Sequence, residues 1–322
     1  MPVRNGERFL CEALESTLAQ TVSGLEVIAV DDGSTDATPE ILAETARRDP
    51  RLRVIGNTGA GITAALNAGF ARAGAPLVAR MDADDVMLPD RLERQLDLLS
   101  RSPDVAVVGG GVILTDEAGR EIDRAPGSES PSLEAGNDLA HPTVVVRAEA
   151  FHEAGGYRLD GSEDYDLWLR IEERWRLAAV PEPVLRYRLH SGQFSVAKLE
   201  KHRRAMLAAR AAADVRRRGE EDPLAGAEQI DDALLRMLGI SQDEVDRRAV
   251  EDSVYWAAVL IRIGDRAGAS TLLDAASRRP KAPARRALAR RSRLLIAKRA
   301  ARTGRMSEAL RHTAAAVVGA EP

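Results

Sequence analysis

A single cysteine, Cys11, stands in 322 residues, which excludes an intramolecular disulfide and a cysteine-based zinc site and points to a reducing compartment. Long apolar runs are also missing. The longest, Val105 to Leu114, is about half of the ~20 residues that a membrane-spanning helix needs. The opening Met1-Pro2-Val3-Arg4-Asn5-Gly6-Glu7 lacks the apolar centre of a signal peptide, so the expected location is cytoplasmic. Residues 2 to 8 lack a Gly-rich phosphate loop, which argues against a sugar-nucleotide pyrophosphorylase.

What is present is a globular composition, 44% hydrophobic and 30% charged, long enough for one large domain and a smaller appendage. The charge is unevenly placed. Residues 278 to 305 hold twelve Lys or Arg and no acid, so the remainder carries −16 against a total of −4. The chain is an acidic body with a basic tail.

Up to about residue 190, β-rich runs alternate with helix-like segments, the pattern of an α/β layered domain. The predicted strands are Leu25 to Val30, Leu52 to Ile55, Pro76 to Met81, Val105 to Leu114, Thr143 to Arg147 and Leu177 to Tyr187. Helix-like stretches at 36 to 48 and 61 to 73 separate the first three, which suits crossovers in a parallel sheet. Gly119 to Asn137, rich in Gly, Pro, Ser and acids, reads as a loop or weakly ordered crossover. Past residue 198 the composition turns to Ala, Arg and Leu, predicting a helical domain over 198–322 after a first domain over 1–197. Gly264 and Gly304 open two similar segments forty positions apart, as in a tetratricopeptide-like array. The basic tail suits contact with an anionic membrane surface better than with nucleic acid, because no aromatic or motif accompanies its charge.

Four polar clusters carry chemistry. Val30-Asp31-Asp32-Gly33-Ser34-Thr35-Asp36 ends a strand with two carboxylates, where an open α/β sheet receives a nucleotide; a helix cap with solvated acids explains it equally. Arg80-Met81-Asp82-Ala83-Asp84-Asp85 ends another strand, and its outer acids can converge on Mg²⁺ or Mn²⁺. Spacing alone does not separate this Asp-x-Asp from Asp164-Tyr165-Asp166; position does. Ser162-Glu163-Asp164 starts a helix, where acids serve either the helix dipole or a general base, with Ser162 the expected side-chain cap. Arg186-Tyr187-Arg188-Leu189-His190 ends a strand with cationic and imidazole groups suited to a diphosphate. His141, before Pro142 and Thr143, is ambiguous.

In this order, with Pro2-Val3-Arg4-Asn5-Gly6 and Ala64-Ala65-Leu66-Asn67-Ala68-Gly69, these clusters resemble glycosyltransferase family 2 over roughly the first 195 residues. The resemblance implies a GT-A fold, a Rossmann-like mixed sheet, and an inverting, metal-dependent hexosyltransferase-type enzyme. It would move one sugar from a nucleotide-diphosphate sugar, UDP-linked by preference, to a glycan or lipid-linked acceptor. By the same resemblance Asp32, with Asp31, reads the base, Asp82 faces the ribose, and Asp84 with Asp82 holds the metal. Asp164, or less readily Glu163, is the catalytic base; Arg188 and His190 lie against the diphosphate and Arg80 near the nucleotide. The Gln-x-x-Arg-Trp motif of the family's processive synthases is absent, which favours single-sugar transfer. Family members carry an apolar strand immediately before the Pro-Val segment, where this chain has Met1, so the first strand is expected to be missing and the natural start to lie upstream. The alternative function is a catalytically silent or truncated homologue that binds partners through its helical tail.

Overall fold

The computed structural model describes residues 1–57, 61–134, 136–190, 199–227, 230–280 and 282–302. The chain divides into two compact units, residues 1–188 with 212–228 and residues 189–211 with 229–322. The expected boundary near 191–198 lies outside the described residues.

Two sheets make up the first unit. Strands β1 (Pro2–Val3), β2 (Val27–Asp31) and β3 (Leu52–Gly56) form a parallel sheet in the order β1-β2-β3. The second sheet holds β4 (Leu77–Ala79), β5 (Val86–Met87), β6 (Val105–Thr115), β7 (Glu121–Ala125), β8 (Val145–Arg147) and β9 (Arg176–Arg188). Its order is β4-β8-β6-β9-β5, with β7 beside β6; only the β6–β9 pair is parallel. Helices α1 (Leu10–Leu18), α2 (Thr38–Arg48), α3 (Ile62–Arg72), α4 (Arg91–Arg101), α5 (Ala148–Glu153) and α6 (Glu163–Ile171) follow in chain order.

The strands form where β-branched residues accumulate. Val105-Ala106-Val107-Val108 is wholly buried, as a central strand covered on both faces must be. Within β6, a Cβ on Gly110 would stand 2.6 Å from Val184 Cγ2, so glycine there lets β9 lie close. Two expectations need correcting. The segment Pro76–Met81 does not extend the parallel sheet, since β4 belongs to the second sheet and pairs antiparallel with β8. Within 119–137, expected as a loop, Glu121–Ala125 is a strand on β6; it shows little apolar content because it is bonded along one edge only.

The amino-terminal strand is short, and a gap lies beside it. Met1 donates its amine to Ile28 O at 2.9 Å and accepts from Val30 N at 2.8 Å, and β1 pairs with β2 through only two residues. Beside it lies a cavity of about 330 Å³, bounded by Val27, Ile28 and Val30 of β2 and Leu77, Val78 and Ala79 of β4. The gap separates the two sheets. Burial pushes the Met1 amine down to about 5, with the Arg80 charge adding to the effect.

Among the described residues the second unit is helical. It contains most of α7 (Leu199–Arg217), whose last turns belong to the first unit, and then α8 (Asp232–Met237), α9 (Gln242–Arg262), α10 (Arg266–Ser277) and α11 (Arg285–Arg302). Side chains of Asp231, Ser241 and Asp265 cap α8, α9 and α10, as short oxygen-bearing residues do. Val250, Val254, Ala257, Leu260, Leu273 and Leu288 form its core. Gly264, at φ 88°, turns the chain between α9 and α10, while Gly304, its expected repeat partner, lies outside the described residues. No described helix is long and apolar enough to cross a membrane.

Candidate active site

The first two polar clusters sit on loops that leave strand ends of the first unit, the position at which α/β sheets receive ligands, and the third begins a helix. After β1, Asn5 takes a left-handed conformation at φ 51° and stitches the amino-terminal segment to the loop after β2. Its N–H donates to Ser34 Oγ at 2.9 Å and its Oδ1 accepts from Thr35 N at 2.8 Å. Asp31 accepts from Ser34 N at 3.0 Å. Asp32 is buried and accepts from Asn57 Nδ2 at 2.6 Å and Gly61 N at 3.1 Å, so it fastens the loop between β3 and α3. Thr63 in turn donates to Asp160 at 2.5 Å, tying that loop to the turn that leads into α6.

At the end of β4, Asp82, Asp84 and Asp85 bring one carboxylate oxygen each within 4.8 Å of the others. Sequence reasoning named the first two and missed Asp85, which stood in the same motif but lay outside the Asp-x-Asp spacing. Asp85 is buried; Oδ1 accepts from Arg188 N at 2.8 Å and Oδ2 has no hydrogen-bond partner among the described residues. Burial, followed by the charges of Asp84 and Asp82, pushes its carboxyl well above the usual range. Asp82 is also pushed up by burial, against the opposing charge of Arg80, with which it forms an ion pair. Buried Arg80 keeps its proton because Asp82 outweighs the cost of desolvation.

Arg188 is placed behind this turn. Its Nε donates to Asp84 O at 2.8 Å, its Nη1 to Glu117 O at 2.9 Å and its Nη2 to Glu12 at 2.5 Å, and its guanidinium lies 4.6 Å from the centre of the Phe9 ring. These bonds turn it toward the protein. His190 belongs to the second unit.

The third cluster begins α6. Ser162 stands at the cap position yet makes no side-chain cap bond, and its buried Oγ has no partner among the described residues; the expected cap is absent. Glu163 is buried, accepts from Gly161 N at 3.2 Å and lies 3.7 Å from His141 Nδ1. Burial and then the Asp164 charge push it up to about 7. His141 meets Tyr157 OH at 3.0 Å through Nε2, and burial, helped by the Arg80 charge, holds the imidazole neutral. Asp164 accepts from Asn137 Nδ2 at 2.7 Å and from Tyr165 N at 2.7 Å. Asp166 points away from this cluster: fully buried, it accepts from Arg158 at 2.8 Å and Arg170 at 2.7 Å. That separates the two Asp-x-Asp pairs, since only Asp82 and Asp84 share a site.

Arg80 joins the second and third clusters electrically, because its charge acts on Asp82, Glu163, His141 and Tyr157. The arrangement offers hard oxygen donors at one point, a neutral imidazole beside a carboxyl that titrates near neutrality, and a separate hydrogen-bonded carboxylate.

Comparison with known proteins bears on the family and the fold. The sequence model described as Glycosyl transferase family 2 matches residues 1–145. The putative glycosyltransferase EpsE of Bacillus subtilis is 36% identical over 203 residues, covering 60% of this chain and 73% of that protein. The amylovoran biosynthesis glycosyltransferase AmsE of Erwinia amylovora is 34% identical over 187 residues, covering 56% and 70%. The S. aureus TarS 1-349 structure in complex with UDP-GlcNAc superposes with a TM-score of 0.53 at 16% identity, covering 99% of this chain and 90% of that one, a likeness of fold. With this fold, these strand-end clusters and these relatives, the chain belongs to glycosyltransferase family 2 and is a glycosyltransferase.

Proposed function

We propose that the protein is an inverting, metal-dependent glycosyltransferase that moves one sugar from a UDP-linked donor to a hydroxyl of a surface-polysaccharide or glycolipid acceptor. The observation that carries this reading is the approach of Asp82, Asp84 and Asp85 within 4.8 Å, with Asp164 held apart from them at the start of α6. Three acids so close repel one another unless a cation or protons intervene. Their hard oxygen donors suit Mg²⁺ or Mn²⁺, and the unpartnered Oδ2 of buried Asp85 is a polar atom in want of a partner. Asp84 with Asp82 would hold the metal, which supplies positive charge against the departing diphosphate.

The chain's own groups supply the rest. Asp164 takes the proton of the acceptor hydroxyl as that oxygen bonds to the anomeric carbon and the bond from that carbon to the diphosphate oxygen breaks. One displacement inverts the centre, and the proton ends on Asp164. Asp31 and Asp32 hold the nucleoside end, with Arg80 beside them. Glu163 is buried beside His141 and, pushed up to about 7, is half protonated near neutrality. The AmsE name supports a polysaccharide acceptor, and TarS with UDP-GlcNAc supports the donor class. The basic segment 278–305 suits the inner face of an anionic membrane, where lipid-linked acceptors are found.

The test is release of UDP from a panel of UDP-sugars with Mn²⁺, by the unaltered chain, Asp84→Ala and Asp164→Asn. Asp84→Ala is expected to lose metal-dependent turnover, and Asp164→Asn to lose turnover while still binding UDP. Full turnover by Asp164→Asn overturns the assignment of the base.

A further inference from the structure

We infer that Asn137 is a positioning residue for the transfer, a neutral donor that holds the Asp164 carboxylate in a fixed orientation. This rests on the reading of Asp164 as the base. The Asn137 carboxamide has a fixed sense: its Oδ1 accepts from Leu139 N at 3.1 Å, so Nδ2 faces Asp164 Oδ2 at 2.7 Å. Flipping the amide would set two donors against each other at Leu139 and two acceptors against each other at Asp164. Asp164 Oδ1 takes the Tyr165 N–H at 2.7 Å. These two bonds, to different oxygens, set the plane of the carboxylate from both sides.

The loop that delivers Asn137 is itself anchored. Tyr165 OH donates to Leu133 O at 2.6 Å, Ser132 N donates to Asp138 Oδ2 at 3.0 Å, and Leu133 and Leu139 are buried. Tyr165 is the residue after Asp164, so the helix that carries the base also fixes the loop that orients it. A loop with few apolar residues is thereby made part of the catalytic apparatus.

The neutrality of the donor matters. Groups that act on this part of the site include Glu163 and Asp164 on α6, Tyr157 on the preceding loop, Arg80 and Asp82 after β4, and His141, which is neutral. Arg80 is paired with Asp82. A second cation against Asp164 would stabilise its ionised form strongly and blunt it as a base, whereas an amide orients the carboxylate with a smaller loss of basicity.

The experiment compares pH profiles of kcat for donor turnover in the unaltered chain, Asn137→Ala, Asn137→Asp and Asp164→Asn, with UDP binding and Tm measured for each. Asn137→Ala is expected to lower kcat by about tenfold through misplacement of the carboxylate, and to move the acid limb up because a hydrogen bond to the charged form is lost. UDP affinity and Tm should stay near their starting values. Asn137→Asp is nearly isosteric and places a second carboxylate against the first, so its acid limb should move further. A kcat of Asn137→Ala within about twofold of the unaltered chain, or an unmoved acid limb in both Asn137 variants, overturns the inference while an inactive Asp164→Asn leaves the base assignment standing. Full turnover by Asp164→Asn instead removes the base assignment, and the inference with it.

Discussion

Replacing Glu163 with Gln should stabilise the protein, and by an amount that depends on pH. The carboxyl is buried and titrates at about 7 in the folded chain against 4.5 as a free side chain. Burial is the main cause and the Asp164 charge the next. Between these values the folded state holds a proton that the unfolded state has released, so stability falls as pH rises through the window. Below pH 4.5 the penalty is absent; above 7 it is complete. The gap of about 2.5 units corresponds to about 3 kcal/mol. Gln has the same shape, can accept from Gly161 N, and has no charge to desolvate. Glu163→Gln should therefore match the unaltered chain in urea denaturation at pH 4 and exceed it by about 3 kcal/mol at pH 8. Titrating groups away from the site are common to both proteins and cancel in the difference, whereas the Asp164 charge that acts on Glu163 enters it, so the difference reports the pair. A gap that is flat from pH 4 to pH 8 would show that burial and the neighbouring charge do not act on this carboxyl as described.

Asp166→Ala should destabilise the first unit by about 3 kcal/mol, because it leaves buried Arg170 without its carboxylate while Arg158 keeps Asp222; a chemical denaturation midpoint within error of the original would refute this. Acetylation of the Met1 amine should raise stability by about 4 kcal/mol at pH 5 and about 1 kcal/mol at pH 7, with no gain above pH 8. The sign follows from an amine lowered to about 5 on folding: the unfolded state binds more protons between 5 and 8, so stability of the free-amine chain rises with pH there. Denaturation of acetylated and free chains across that range is the check, and an equal gain at pH 9 would count against it.

The long strands were legible from their apolar residues; Val105 to Leu114 differs from β6 by one residue at one end, and Leu177 to Tyr187 from β9 by one residue at each end. The two-residue strands and β7 were not. β5 takes its conformation from β9, and Glu-Ile-Asp-Arg-Ala in β7 carries no apolar alternation to read. The site shows the same division. Asp82, Asp84 and Asp164 stand in motifs with local spacing, so sequence order was enough to single them out. Asp85 joins the cluster by the way the turn folds, and Asn137 reaches Asp164 across 27 positions. Arg188 was legible as a cation at a strand end, but its direction is set by Glu12, Asp84 and Glu117, three partners far from it in sequence.

The division of the first unit into two sheets bears on what a substrate does to the protein. Asp31 ends a strand of one sheet, and the three-acid turn follows a strand of the other. No ladder of backbone bonds joins those sheets among the described residues; Met1 and the helices span the gap. A nucleotide sugar gripped at its base by one and at its diphosphate by the other would serve as a cross-tie, adding about 3 kcal/mol at a hundredfold excess over its Kd. The stiffness of the catalytic unit would then follow the supply of its own donor, with the idle enzyme softer than the working one.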